Sequence, residues 1–257
     1  MRYFVQFSYN GRAYHGWQNQ PNAITVQQVL ENSFTTLLRS DIALVGAGRT
    51  DAGVHAKKMF AHFEADTISD TKDLIYKLNA FLPDDIAVQD ILEVTSEAHA
   101  RFDAIDRTYE YWVVQNKNPF YQEAAHYVKH TLDVQKMNAA AALLLNYEDF
   151  ECFSKANTDV HTYLCDIKEA IWTQRDDLLI FTITANRFLR NMVRAIVGTL
   201  LDVGIEKTNL EDVKSIINSK DRSKAGTSVP AKGLYLIDII YPKTITPKHG
   251  QRVGKSI

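Results

Sequence analysis

The sequence predicts an α+β protein with mixed strand order, built from two consecutive β-α-β-β-α-β units. Three observations carry this reading. Short segments alternate apolar and polar residues with period two, longer segments between them repeat apolar residues at three and four, and the series of segments runs twice through the same order.

Residues 2–9 place Tyr3, Val5, Phe7 and Tyr9 at every second position and stop at Asn10-Gly11, a dipeptide that tolerates a tight turn. This is a strand and its turn. From Thr25 to Leu38 the residues Val26, Val29, Leu30, Phe34, Leu37 and Leu38 recur at helical spacing, with Thr25 as N-cap and Gln28 three residues on. An apolar run at 42–48, a glycine-rich loop at 48–56 and a strand at 57–65 follow. A helix around 71–81, closed by Pro83, and a strand at 86–94 complete the first series.

The second series starts with a strand at 107–115 and a helix near 134–145, whose Ala and Leu content favours it intrinsically. Alternating runs at 163–173 and 178–185 come next. A long helix from 187 to about 203, a shorter one from Leu210 to Ile217 and a strand at 233–241 close the series with one helix more than the first. The two series share order and not sequence. Such units imply two ferredoxin-like halves, each a sheet covered on one face by helices, divided here as 1–104 and 105–242. The cleft between the halves is the expected place for a site. The tail 243–257 carries Lys243, Lys248, Arg252 and Lys255 with no acidic residue and is expected to be mobile and solvated.

With 257 residues, 46% of them apolar, the chain is long enough for one large core or two modest ones. Its 29 basic and 31 acidic side chains give a net charge of -2, which excludes a polybasic binder, so any nucleic-acid contact must come from a local patch. Two cysteines, Cys152 and Cys165, make no disulfide framework and no zinc signature, so the expected setting is the reducing cytoplasm. The first residues alternate like a strand and lack a signal-peptide core, and no apolar run approaches the ~18 residues of a membrane span. Export and membrane insertion are therefore not expected.

The densest polar cluster is Gly46–His55, GAGRTDAGVH, where small residues leave Arg49, Thr50, Asp51 and His55 on a backbone that a large ligand can approach closely. An Asp in a glycine-rich loop is most often an Asx turn or a cap. Here Arg49 stands two positions away, a charge that favours an ionised Asp51 suited to act as nucleophile or base. His55 offers a ligand or a base, but a lone His near a strand end is more often a hydrogen-bonded structural residue, and Asp51, His55 and His62 fit no metal-ligand pattern.

Two further segments combine aromatic and basic residues. RTYEYW sets Arg107, Tyr109 and Tyr111 on one strand face and Thr108, Glu110 and Trp112 on the other, so the first face offers a ring beside a guanidinium. Ordinary sheet packing explains that pattern equally well. ANRFLRNMVRAIVGTLL, read as a helix, aligns Phe188, Met192, Ile196 and Leu200 on one stripe and Arg187, Arg190 and Arg194 on another. No acid interleaves the arginines, which suits either a phosphate-tracking or a carboxylate-pairing role.

These segments together resemble the TruA family of tRNA pseudouridine synthases over nearly the whole chain up to Tyr241. The matching pieces are GWQNQ at 16–20, TVQQVLE at 25–31, GRTDAGVHA at 48–56, LNAFLPDDI at 78–86, AHARFDA at 98–104, RTYEYW at 107–112, NRFLRNMVRAIVG at 186–198 and AKGLYL at 231–236. The resemblance implies that Asp51 is the catalytic aspartate, that Tyr109 lies against the target base, and that Arg194 pairs with the catalytic carboxylate. It implies that Arg49 helps to hold the RNA near the flipped nucleotide. The implied fold is two ferredoxin-like domains forming one continuous mixed sheet with helices on one side and a central RNA-binding cleft. The implied assembly is a homodimer acting on the anticodon stem-loop of tRNA, at uridines 38, 39 and 40, without cofactor or metal.

Arg187, Arg190, Arg107 and the tail lysines are the expected phosphate contacts. The chain departs from the family pattern at Asn10, where Asp is usual, at Cys165, where many relatives place an arginine, and at Arg190, where an aromatic or His is common. Two other readings compete. A non-catalytic RNA-binding module shares the element order but would carry an aromatic strand of the GFGFVxF kind, which is absent from the sequence. A nucleoside or glycoside hydrolase would pair Asp51 with a remote carboxylate such as Glu110, which alternation puts on the face opposite Tyr109.

Overall fold

The computed structural model describes residues 1–155 and 160–246. The first series comprises β1 (Arg2–Tyr9), α1 (Val26–Leu38), the two-residue β2 (Val45–Gly46), β3 (His55–Glu64), α2 (Thr71–Phe81) and β4 (Ile86–Glu93). The second comprises β5 (Asp106–Val114), a two-residue β6 (His126–Tyr127), α3 (Val134–Leu143), β7 (Ile167–Arg175), β8 (Leu178–Ala185), α4 (Met192–Gly204), α5 (Leu210–Ser219) and β9 (Leu234–Ile240). The protein is mixed α+β, with one nine-stranded sheet and five α-helices among the described residues.

The sheet runs β4-β1-β3-β9-β5-β8-β7, with β2 added on β3 and β6 on β5. Most pairs are antiparallel. The β3–β9 pair is parallel and short, His55 opposite Tyr235 and Ala56 opposite Leu236. The last strand among the described residues, β9, therefore sits in the middle of the sheet, between β3 and β5, and brings the loop before β3 close to the strand that carries Tyr109.

Two large apolar clusters pack on this sheet. One gathers Phe7, Leu30, Phe34, Phe63, Leu78 and Ile91 with Leu236 and Ile239 of β9. The other gathers Tyr111, Phe150, Trp172, Phe181 and most of α4, with Val54 from the loop before β3. Helix α1 starts where its cap dictates, the Thr25 hydroxyl accepting the Gln28 N–H. In α4 nearly every residue is buried, as expected for a helix enclosed by a core. A Cβ on Gly198 would lie 1.9 Å from the Thr227 carbonyl oxygen, so only glycine lets the segment at 226–229 press against this helix.

The run expected at 163–173 forms β7 only from Ile167, and two further differences from expectation are larger. Helix α4 begins at Met192 and not at 187, because Asn191 adopts a left-handed backbone (φ 66°) and turns its amide to Ser228 Oγ at 2.6 Å. Arg187, Phe188 and Arg190 thus lie on a non-helical approach to α4, and the predicted arginine stripe is not a helix face. The tail is also anchored at its start. Lys243–Ile245 form one 3-10 turn, and the Ile245 carbonyl accepts the Thr95 N–H at 3.0 Å. Lys248, Arg252 and Lys255 lie outside the described residues.

Candidate active site

The loop before β3 rests on the turn after β1. A Cβ on Gly11 would lie 1.9 Å from the Val54 carbonyl oxygen, and Gly16, at φ +86°, lets the chain pass with its own Cβ position 2.3 Å from the Thr50 oxygen. Tyr9 Oη and Thr50 Oγ1 share a hydrogen bond of 2.9 Å, the Trp17 N–H donates to the Thr50 carbonyl, and the Gly53 N–H donates to the Tyr14 carbonyl. A Cβ on Gly46 would collide with the Trp17 indole. These supports fix the backbone on both sides of Asp51. The sequence marks Tyr9 and Gly11 as the end of a strand and its turn, and Gly16 and Trp17 as part of the GWQNQ segment, but none of the four as a site residue.

His55 is structural. Its Nδ1 accepts the Gly11 N–H at 3.1 Å, its Nε2 faces the Lys232 carbonyl at 3.2 Å, and its ring stacks on Tyr235 at 4.6 Å. An Nδ1 that accepts an amide is unprotonated, and burial lowers the imidazole's pKa, so the ring is the neutral Nε2–H tautomer.

The charge beside Asp51 comes from α4 and its approach. Arg194 Nη1 donates to Asp51 Oδ2 at 3.2 Å across 143 residues of sequence, while its Nε donates to the Val229 carbonyl at 2.7 Å. Arg190 Nε lies 4.0 Å from Asp51 Oδ1. Arg49, the sequence neighbour whose charge favours an ionised Asp51, is exposed and makes no ion pair with it, whereas Arg194 pairs with it as the resemblance implies. A Cβ on Gly48 would meet nothing within 4 Å, so the loop opens onto free space beside Arg49.

Tyr109 packs against both apolar clusters and meets Phe188 edge-on at 5.2 Å. Burial, helped by the nearby Asp51 charge, pushes its phenol up to about 12, so it is protonated at neutral pH. Phe188 is a second unpredicted neighbour of the site, placed by the non-helical approach to α4. Arg187 Nη1 donates to the Thr162 carbonyl at 3.3 Å. Arg107 gives both terminal nitrogens to main-chain carbonyls: Nη1 to Ala104 and Asn186, Nη2 to Ala47 and Arg101, at 2.6–3.1 Å. It ties three loops together beneath the site and turns those donors inward, away from the phosphate expected of it.

Glu110 lies on the other face of β5. Its carboxylate accepts Trp112 Nε1 at 2.7 Å and pairs with Arg175 at 3.3 Å and Lys57 at 3.7 Å. It makes no second carboxylate for Asp51. Among the described residues no group of His, Cys, Asp and Glu is placed to hold a metal ion, and no helix is long and apolar enough to cross a membrane.

One carboxylate gripped by a guanidinium, with a protonated phenol beside it and exposed arginines around it, is the equipment of a one-carboxylate enzyme for an anionic substrate. The family model described as tRNA pseudouridine synthase matches residues 6–103 and 140–242, and the chain belongs to that family of isomerases. It is 51% identical to the tRNA pseudouridine synthase A of Parabacteroides distasonis over 247 residues, covering 96% of this chain and 98% of the relative. Against the protein of that name from Bacteroides thetaiotaomicron it is 49% identical, covering 95% and 92% of the two chains. Against that of Thermoanaerobacter sp. it is 39% identical, covering 92% and 98%.

Proposed function

We propose that this protein converts uridine to pseudouridine in the anticodon stem-loop of tRNA, with Asp51 as its catalytic group. The observation that carries this reading is the Asp51–Arg194 pair in a small-residue loop open on the Arg49 side. The reaction breaks the bond from C1′ to N1, joins C1′ to C5, releases the C5 proton and returns a proton to N1. Atoms balance without oxidant, water or cofactor. Asp51 acts at the sugar, either attacking C1′ or removing the C2′ proton, and a single carboxylate meets either demand. The uracil then turns against the Tyr109 ring before C5 meets C1′. The Tyr109 phenol, protonated at neutral pH, takes up the proton leaving C5 as it hands its own O–H proton to the Asp51 carboxylate, free again once C1′ is joined to C5, and a proton then returns to N1.

The target nucleotide leaves its stack to reach Asp51, at a cost of a few kcal/mol that is smaller in a loop than in a duplex. Arg49 holds it there. Arg187 and Arg190 meet flanking phosphates, and Arg107 keeps their loops in place. The strand orders β4-β1-β3-β2 and β9-β5-β8-β7 support the reading of two ferredoxin-like halves, 1–104 and 105–242, with the cleft at their junction. We further propose a cytoplasmic homodimer.

The test is pseudouridine in the nucleoside digest of an unmodified tRNA transcript after incubation with wild type or Asp51→Ala. Product from wild type alone supports the assignment. Product from both removes Asp51 from the chemistry, and free uracil points to the hydrolase reading.

A further inference from the structure

Between β4 and β5 the chain makes a loop, residues 98–104, that is fixed from every side. The Ala100 N–H donates to His62 Nδ1 at 3.1 Å, and the Ala100 carbonyl accepts Tyr241 Oη. Arg2 Nη1 donates to the Ala98 carbonyl at 2.9 Å, and Arg107 to the carbonyls of Arg101 and Ala104. Inside the loop the Asp103 carboxylate accepts the His99 N–H at 2.7 Å, and His99 Nδ1 accepts the N–H groups of Arg101 and Phe102.

This rigid frame displays a large ring to solvent. Phe102 is 74% exposed, its inner face covered by His99 at 4.2 Å between ring centroids, and the Arg101 guanidinium lies 5.7 Å from its centre. Exposure alone is ordinary for a surface ring; what marks Phe102 is the fixed frame and the guanidinium beside it. Here the backbone holds it out, and no ion pair occupies Arg101 among the described residues. The loop adjoins the site: Arg107 Nη2 holds the carbonyls of Arg101 and Ala47 together, and Ala47 is four residues before Asp51.

We infer that Phe102 and Arg101 form a stacking and phosphate platform for a nucleotide flanking the target uridine. A base has a π-face whatever its identity, and a ring with one free face beside an unspent guanidinium suits a splayed nucleotide. The inference rests on the proposed RNA site. It also gives that site the means to hold the chain open once the target has left the stack.

The experiment measures RNA affinity in the Asp51→Ala background, so that turnover does not intervene, with an anticodon stem-loop RNA. Phe102→Ala is expected to weaken binding about tenfold and Phe102→Trp to restore it. Arg101→Ala should lower the salt dependence of binding by about one phosphate contact. The decisive arm uses RNA with an abasic residue on either side of the target. If Phe102 stacks on one neighbour, removing that base abolishes the difference in affinity between the protein that keeps Phe102 and its Phe102→Ala variant, which a merely structural role would not do. Unchanged affinity in Phe102→Ala, or an equal loss with intact and abasic RNA, overturns the platform. So does a change in mass in solution, which would make Phe102 a subunit contact. Product formation by wild type against Asp51→Ala tests the catalytic reading separately.

Discussion

The two faces of β5 carry the same kinds of residue and do opposite things. On the Glu110 face a carboxylate, two cations and an indole N–H satisfy one another, and Lys57 also lies 4.2 Å from the Trp112 ring centre. The Glu110 carboxylate is spent on these partners. On the Tyr109 face Asp51 has one guanidinium in hydrogen-bond contact and another at 4.0 Å, while Arg49 is exposed and unpaired with it. A nearly buried carboxylate engaged at both oxygens is a structural part; one held at a single oxygen, with a second guanidinium 4.0 Å away and the loop beside it open, is available for chemistry.

Replacing the carboxylate breaks this comparison most directly. Asp51→Ala should abolish pseudouridine formation while leaving the melting temperature close to that of wild type, since Asp51 sits in a partly open loop. Retained turnover would place the two carboxylates on an equal footing. Arg194→Ala comes next, with an expected loss of roughly 100-fold in kcat from removing a charged donor at the reacting group. Arg194→Lys keeps the charge but lacks the fork that grips Asp51 and the Val229 carbonyl together, and should recover only part of that loss. Single-turnover kinetics distinguishes these from a weakened affinity for RNA.

Glu110→Gln should behave in the reverse way. Its carboxylate is nearly buried while Lys57 and Arg175 are about half exposed, so losing the charge strands cations that water can still reach. The expected cost is about 1–2 kcal/mol in denaturant unfolding, with kcat per folded molecule unchanged. A fall in kcat without a fall in stability would show that the closed face takes part in the reaction.

Much of this was legible in the chain. Strand β1 and helices α1 and α2 lie where alternation, the Thr25 cap and Pro83 put them, because local pattern sets those boundaries. Asp51 stood out by the small residues around it. The start of α4 did not, since a left-handed Asn191 answers to Ser228, 37 residues away. Arg107 read as a phosphate contact because the four carbonyls that take its donors come from loops the sequence does not bring together. Arg194 was paired with the carboxylate by resemblance and not by pattern, for a contact spanning 143 residues leaves no periodic trace.

The smallest expected effect concerns pH, and it separates folding from chemistry. His55, on the closed face, and His62, under the 98–104 loop, each use Nδ1 to accept a backbone N–H, and burial lowers both pKa values, that of His62 to about 4. The unfolded chain takes up protons near pH ~6.5, before the folded one does. Stability from these groups is therefore complete above pH ~6.5 and declines as pH falls from there toward about 4. Urea unfolding of wild type should show that decline. In His62→Asn, which keeps an acceptor for the Ala100 N–H and cannot titrate, the decline should be shallower. An unchanged slope in that variant would mean that His62 takes up its proton equally well folded and unfolded, so that its bond to the Ala100 N–H does not depress its pKa.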